Sequence, residues 1–197
     1  MTFDSSSVSG IGEWLSNDPI GISGGLNQYV FCGNNPVNAR DPMGWAADLI
    51  LFDPKSDLYS LAQQHGTVPD VNGDPMYTVA AHGTHMADDP EKIALWVTDA
   101  RNGTEAYLTP DQLADEILKQ KNYTKGRSVY LEACDTGRSP KGDPDSYAQK
   151  LADALTRKSK TRTTVHAPTR TGYYFPPRFN LESGSVRLPF EGRFGTK

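Results

Sequence analysis

The sequence predicts an α/β protein, with a largely parallel open sheet flanked by helices, preceded by a short segment of strands and turns. Three observations predict it. From Ala46 onward, short apolar runs rich in β-branched and aromatic residues alternate with amphipathic stretches, the order expected of a sheet with helices packed on it. Two of those stretches carry helix-start signals. Residues 1–45 have a different grammar, dense in turn formers (NDPIG, SGG, GNNP, RDPMG) around brief apolar pieces such as QYVF, which suits short strands and tight turns.

The 1–45 segment is too small to bury a core alone, so it is expected to belong to something larger or to pack on its neighbour. In 46–197, ADLILF (47–52) is a short apolar run suited to a buried strand, and MYTVAAHG (76–83) is a second, ending in glycine. IALWVTD (93–99) and TEAYLT (104–109) are joined across ARNG and read as a hairpin with an Asn-Gly turn. TPDQLADEILKQ then reads as a helix, with Thr109 as N-cap, Pro110 in the first position and Leu113, Ile117 and Leu118 on one face. RSVYLEAC (127–134) is a strand, and DPDSYAQKLADALTRK is a helix with Tyr147, Leu151, Ala154 and Leu155 on one stripe. TTVHAP (163–168) is the last inner strand. Right-handed crossovers would keep these strands in one sheet.

Composition sets bounds on function. No apolar run approaches the roughly 18 residues of a membrane helix, and MTFDSSSVSG has neither a charged n-region nor an apolar h-region. Export is therefore expected to use a machine that does not read such a signal. Cys32 and Cys134 lie far apart and make neither a disulfide framework nor a zinc spacing. The net charge of -4 conceals an asymmetry, because residues 45–155 hold ten Lys/Arg against eighteen Asp/Glu, while residues 156–197 hold nine against two. A basic tail can contact nucleic acid, cover an acidic body or meet an acidic partner. Its cations are spread out rather than blocked, so nucleic acid is not the preferred partner.

EWLSNDPIGISGGLNQYVFCGNNPVNARDPMGW, residues 13–45, closely resembles the end of the core in rearrangement-hotspot (Rhs) repeat proteins. In that family a DPIG element, a GGxNxYxY element and NNP precede a final DPxGL; here Trp45 stands where the family usually has Leu. The resemblance implies a polymorphic toxin, in which a β-shell encloses a variable C-terminal effector. It implies delivery into a target cell by a specialised secretion system, together with a cognate immunity protein. It also implies that Asp18 and Asp41 act as autoproteolytic aspartates that release the effector just after the final motif. Residue types alone read both Asp-Pro pairs as turn initiators.

His82 ends one expected strand and Cys134 another, each followed by a turn-capable sequence, HGTH and CDTG. Open α/β sheets bind ligands at the carboxyl ends of their strands, so neighbouring strands would bring the two side chains together. An imidazole beside a thiol accepts its proton and yields a usable nucleophile. Gly83 would let the backbone come close to a scissile carbonyl, and its N–H with that of Cys134 could form an oxyanion hole, worth roughly 3–4 kcal/mol per donor. The 52-residue separation (134 − 82) matches the spacing of about 50 in caspases. TVAAHG, VYLEACDTG, SYAQKLADAL and TTVHAPT together resemble the caspase-like fold of clan CD cysteine peptidases, and GSVRLPFEGRF is similar to a closing hairpin often found there. By that resemblance His82 is the base and Cys134 the nucleophile, no cofactor is needed, and the substrate is a protein of the target cell. EACDTG departs from the caspase pentapeptide and leaves substrate preference open.

Other readings compete. Cys134 could be a buried strand-end thiol and His82 a core histidine. His85 is the rival base, and HGTHMAD could supply a metal set of His82, His85 and Asp88, although no further compact ligand cluster accompanies it. Asp135 could orient the imidazole or bind substrate. His166 reads as structural, and TRTGYYFPPRF as a packed aromatic loop. The rival function classes are a nuclease using the basic tail and a caspase-like binding module without turnover.

Overall fold

The computed structural model describes residues 47–63, 68–86, 92–98, 105–175 and 178–195. The Rhs-like segment with Asp18, Asp41 and Cys32, the acid Asp88 and the ARNG turn lie outside the described residues. In chain order the elements are β1 (Leu49–Ile50), α1 (Asp57–Gln63), β2 (Tyr77–Ala80), β3 (His82–His85), β4 (Ile93–Thr98), β5 (Glu105–Leu108), α2 (Pro110–Lys119), β6 (Val129–Glu132), α3 (Tyr147–Ser159), β7 (Thr164–Pro168), β8 (Gly172–Phe175), β9 (Arg178–Leu181) and β10 (Arg187–Glu191).

The main sheet has the order β1-β2-β6-β7-β10. Its first four strands run parallel and β10 closes it antiparallel to β7. The expected mixed α/β class, mostly parallel with flanking helices, is therefore observed. Pro189 stands in β10 opposite His166; a proline gives no ladder donor and belongs on an edge strand such as this one.

Alternation along the strands divides the core. Tyr77, Val79, Val129, Leu131, Val165 and Ala167 join one buried cluster with Leu113 and Ile117 of α2 and Leu151 and Leu155 of α3. Ala80 points the other way, into a smaller cluster with Phe52 and Ala62. Helix α2 starts on the reciprocal cap its sequence signals: Thr109 Oγ1 accepts from Gln112 N–H, while the Gln112 side chain accepts from Thr109 N–H. Helix α3 is capped by Ser146 and ends at Lys160 in the left-handed region.

Four expectations need correction. MYTVAAHG is not one strand: the chain leaves the main sheet at Ala81, and His82 opens β3 of a separate antiparallel sheet, β3-β4-β5. TRTGYYFPPRF is not a packed loop, because Gly172–Phe175 and Arg178–Leu181 pair as the two-stranded hairpin β8-β9. The closing element at the tail is the single strand β10 rather than a hairpin. Helix α1, whose seven residues are too few to show a clear helical period, was not expected at all.

Candidate active site

Three chain segments leave the main sheet at its carboxyl edge side by side: Ala81–Gly83 after β2, Ala133–Gly137 after β6 and Thr169–Gly172 after β7. The register pairs Ala80 with Glu132, and Ala81 N–H still donates to Glu132 C=O at 3.2 Å. Beyond that bond His82 turns into β3 while the two segments stay adjacent. Contact at Gly83 bears this out at atomic range: a Cβ added there would lie 1.9 Å from the Cys134 carbonyl oxygen and 2.7 Å from its nitrogen. Residue 83 must be glycine because the backbone of Cys134 occupies the space of a side chain, a requirement separate from any approach of a substrate carbonyl. The two amides expected as oxyanion donors thus belong to backbone segments in contact.

The turn that presents Cys134 is tightly built. Thr136 Oγ1 donates to Ala133 C=O at 2.7 Å, Gly137 N–H to Pro168 C=O at 2.8 Å and Ala148 N–H to Thr136 C=O at 2.9 Å. Asp135 takes φ 59°, left-handed for a residue with a side chain. Its N–H donates to Arg170 C=O at 3.3 Å, and its carboxylate accepts from Thr171 Oγ1 at 3.2 Å. Asp135 is thus tied to the segment after β7 rather than to His82.

Cys134 is a free, partly exposed thiol. Its Sγ accepts from Gly172 N–H at 3.4 Å and donates to Gly172 C=O at 3.4 Å. Burial pushes the thiol pKa up, the Gly172 N–H pulls it back, and the carboxylates of Asp135 and Glu182 push it up again. His82 is drawn below its ordinary value by burial. At neutral pH the thiol and the imidazole are therefore each neutral. The His82 ring packs against two aromatics, edge-to-face with Phe52 at 4.8 Å and tilted 33° on Trp96 at 5.3 Å. His85, three residues on, is exposed and by strand alternation lies on the other face of β3. His166 sits inside β7, nearly buried.

Among the described residues no group of three His, Cys, Asp or Glu side chains could hold a metal ion. A cavity of about 190 Å³ lies nearby, lined by Ile93, Tyr107, Leu108, Pro140 and Tyr147 among others, but neither Cys134 nor His82 lines it. Gly172, Trp96 and Phe52 are site residues that strand-end reasoning did not find. The expected hairpin pairs Trp96 with Tyr107, but its pairing with His82 belongs to β3-β4, which the sequence did not announce; nothing local marked Gly172 or Phe52.

A family model for a domain of unknown function, DUF8616, matches residues 47–187. The chain belongs to the DUF8616 family. The DUF8616 chain is also 32% identical over 128 residues to the uncharacterised protein YibJ of Escherichia coli K12, a match covering 65% of this chain and 46% of YibJ. The chain thus spans about half the length of that curated relative.

Proposed function

We propose that the DUF8616 domain is a caspase-like cysteine endopeptidase acting through a Cys134–His82 dyad, and that it is the effector of an Rhs polymorphic toxin. The observation that carries the reading is the contact of the His82–Gly83 segment with the Cys134 backbone at the carboxyl rim of a parallel sheet. That is where open α/β proteins bind ligands, and a thiol beside an imidazole is the minimum for acyl transfer.

Chemistry starts from the neutral pair. His82 takes the thiol proton as Sγ attacks the peptide carbonyl, forming the S–C bond of a tetrahedral adduct. The Gly83 and Cys134 amides face the developing oxyanion. Collapse breaks the C–N bond, and the proton passes from His82 to the departing amine. His82 then removes a proton from water; the resulting hydroxide cleaves the thioester, releasing the carboxylic acid and restoring the thiol. Gly172 assists at rest, since its N–H already points at the sulfur. In the same proposal, the Rhs-like segment supplies the shell end with its Asp18/Asp41 release site, a specialised secretion system delivers the chain, a protein of the target cell is the substrate, and an immunity protein protects the producer.

The deciding experiment expresses the chain, with Cys134→Ala and His82→Ala variants, in target cells and follows both growth and lysate proteolysis by mass spectrometry. Each single variant should abolish toxicity and cleavage together. Undiminished toxicity in both would remove the peptidase. A second reading, a binding module without turnover, draws on the raised Cys134 pKa; it predicts full partner binding by Cys134→Ala and alkylation of Cys134 no faster than free cysteine.

A further inference from the structure

We infer that Phe52 and Trp96 are positioning residues for His82, a ring clamp in the place where a carboxylate would orient the imidazole in a triad. The inference rests on the dyad reading above. A catalytic imidazole must keep one orientation as it takes up and returns a proton, and triad enzymes fix it by a hydrogen bond from the second ring nitrogen. The acid closest in sequence to the nucleophile, Asp135, is bonded instead to Thr171 and held in place by Arg170.

What His82 has is two aromatic rings packed against it. Phe52 meets it at an interplanar angle of 79°, while Trp96, its direct cross-strand partner in β4, lies at 33°. Edge-to-face and tilted contacts at these distances are the favoured aromatic geometries. Together they restrict rotation of the imidazole about its side-chain bonds. Phe52 is itself fixed, being 3% exposed in the cluster with Ala62 and Ala80. Among the described residues, the titratable groups on the segments around the ring include Asp53 beside Phe52, Tyr59 of α1 in the Phe52 cluster, His85 on β3, Tyr107 on β5, and Cys134 and Asp135 after β6. The imidazole's departure from its ordinary pKa has burial as its cause, which is the effect expected of a hydrocarbon clamp rather than an ionic one.

The test compares Trp96→Phe, which keeps a ring, with Trp96→Leu, which keeps only apolar bulk. The His82 imidazole is titrated by NMR, its signal assigned with His82→Gln, and Cys134 alkylation by iodoacetamide is followed against pH in the same proteins. Trp96→Phe should match the parent. Trp96→Leu should move the His82 titration up toward the ordinary value and lower the alkylation rate about threefold to tenfold, the range set by loss of one aromatic pair. Identical behaviour of the Leu and Phe variants would overturn the clamp. Should the Trp96 variants fail to fold by circular dichroism, Phe52→Tyr and Phe52→Leu make the same comparison at the second ring. Absence of peptide turnover in the parent would count against the peptidase, while the imidazole titration would still decide the clamp.

Discussion

Gly83 is the residue on which the site turns. A methyl group there must displace the Cys134 carbonyl from 1.9 Å, and backbone cannot yield as the end of a flexible side chain can. Gly83→Ala is therefore expected to cost at least about a hundredfold in peptide cleavage or Cys134 alkylation, because a misplacement near 1 Å is enough for that loss. A Gly83→Ala protein that folds and retains parental rates would show that the contact is not needed. The titrations make a second prediction. His82 must be neutral to accept the thiol proton, and burial lowers its pKa, so the acid limb of activity should fall below pH 6.5 rather than at it. The same shift acts on stability. The unfolded chain takes up the proton first as pH drops, so His82 and His166, both lowered mainly by burial, leave stability intact above about 6.5, the ordinary histidine value. They erode it as pH falls below that value through their folded pKa values, a trend urea titrations at a series of pH values would record. Residue reading found the dyad candidates because strand ends announce themselves by composition. It gave Gly83 a different reason, because the neighbour that forbids a side chain lies about fifty residues away in sequence.

Helix starts were legible and sheet changes were not, for physical reasons. The cap of α2 is local, made within four residues, so TPDQ declared it. Thr109→Ala should lower stability by about 1 kcal/mol, measurable by chemical denaturation, with alkylation of Cys134 unaltered. The break at Ala81 could not be read, since Tyr77 to Ala81 are all buried and a run with both faces covered shows no alternation. The β8-β9 hairpin was hidden because its turn lacks the Asn-Gly signal that marked β4-β5. That hairpin bears on chemistry through Gly172. Gly172→Pro removes the N–H that lowers the Cys134 pKa while sparing the thiol. Alkylation at fixed pH should slow, and its pH midpoint should move upward; an unchanged midpoint would show that the Gly172 N–H does not tune the thiol.

At the scale of the whole molecule, the charge asymmetry has a resolution that composition left open. Several cations of the basic 156–197 stretch are matched to carboxylates of the chain. Arg193 reaches Asp145 and Asp153 at 2.6 Å, Lys158 reaches Asp115 at 2.6 Å, Arg157 pairs with Asp111, and Arg162 meets Glu191 at 3.3 Å. Arg187 lies over the Tyr130 ring at 5.0 Å. These exposed pairs contribute little stability each, about 0–1 kcal/mol, but they occupy charges that a phosphate backbone would need. Of the two remaining uses of a basic tail, covering an acidic body accounts for the Arg157, Lys158 and Arg193 pairs, while the Arg162–Glu191 pair lies within the tail itself. Duplex binding through these cations would have to release their intramolecular pairs before gaining phosphate contacts, which lowers the electrostatic gain that dominates nucleic-acid affinity. The expected outcome is that DNA duplexes and total RNA are neither retarded on gels nor degraded by micromolar protein at 0.15 M salt, with or without chelator. Tight, steeply salt-dependent retardation would instead assign the tail to nucleic acid and return the nuclease to consideration.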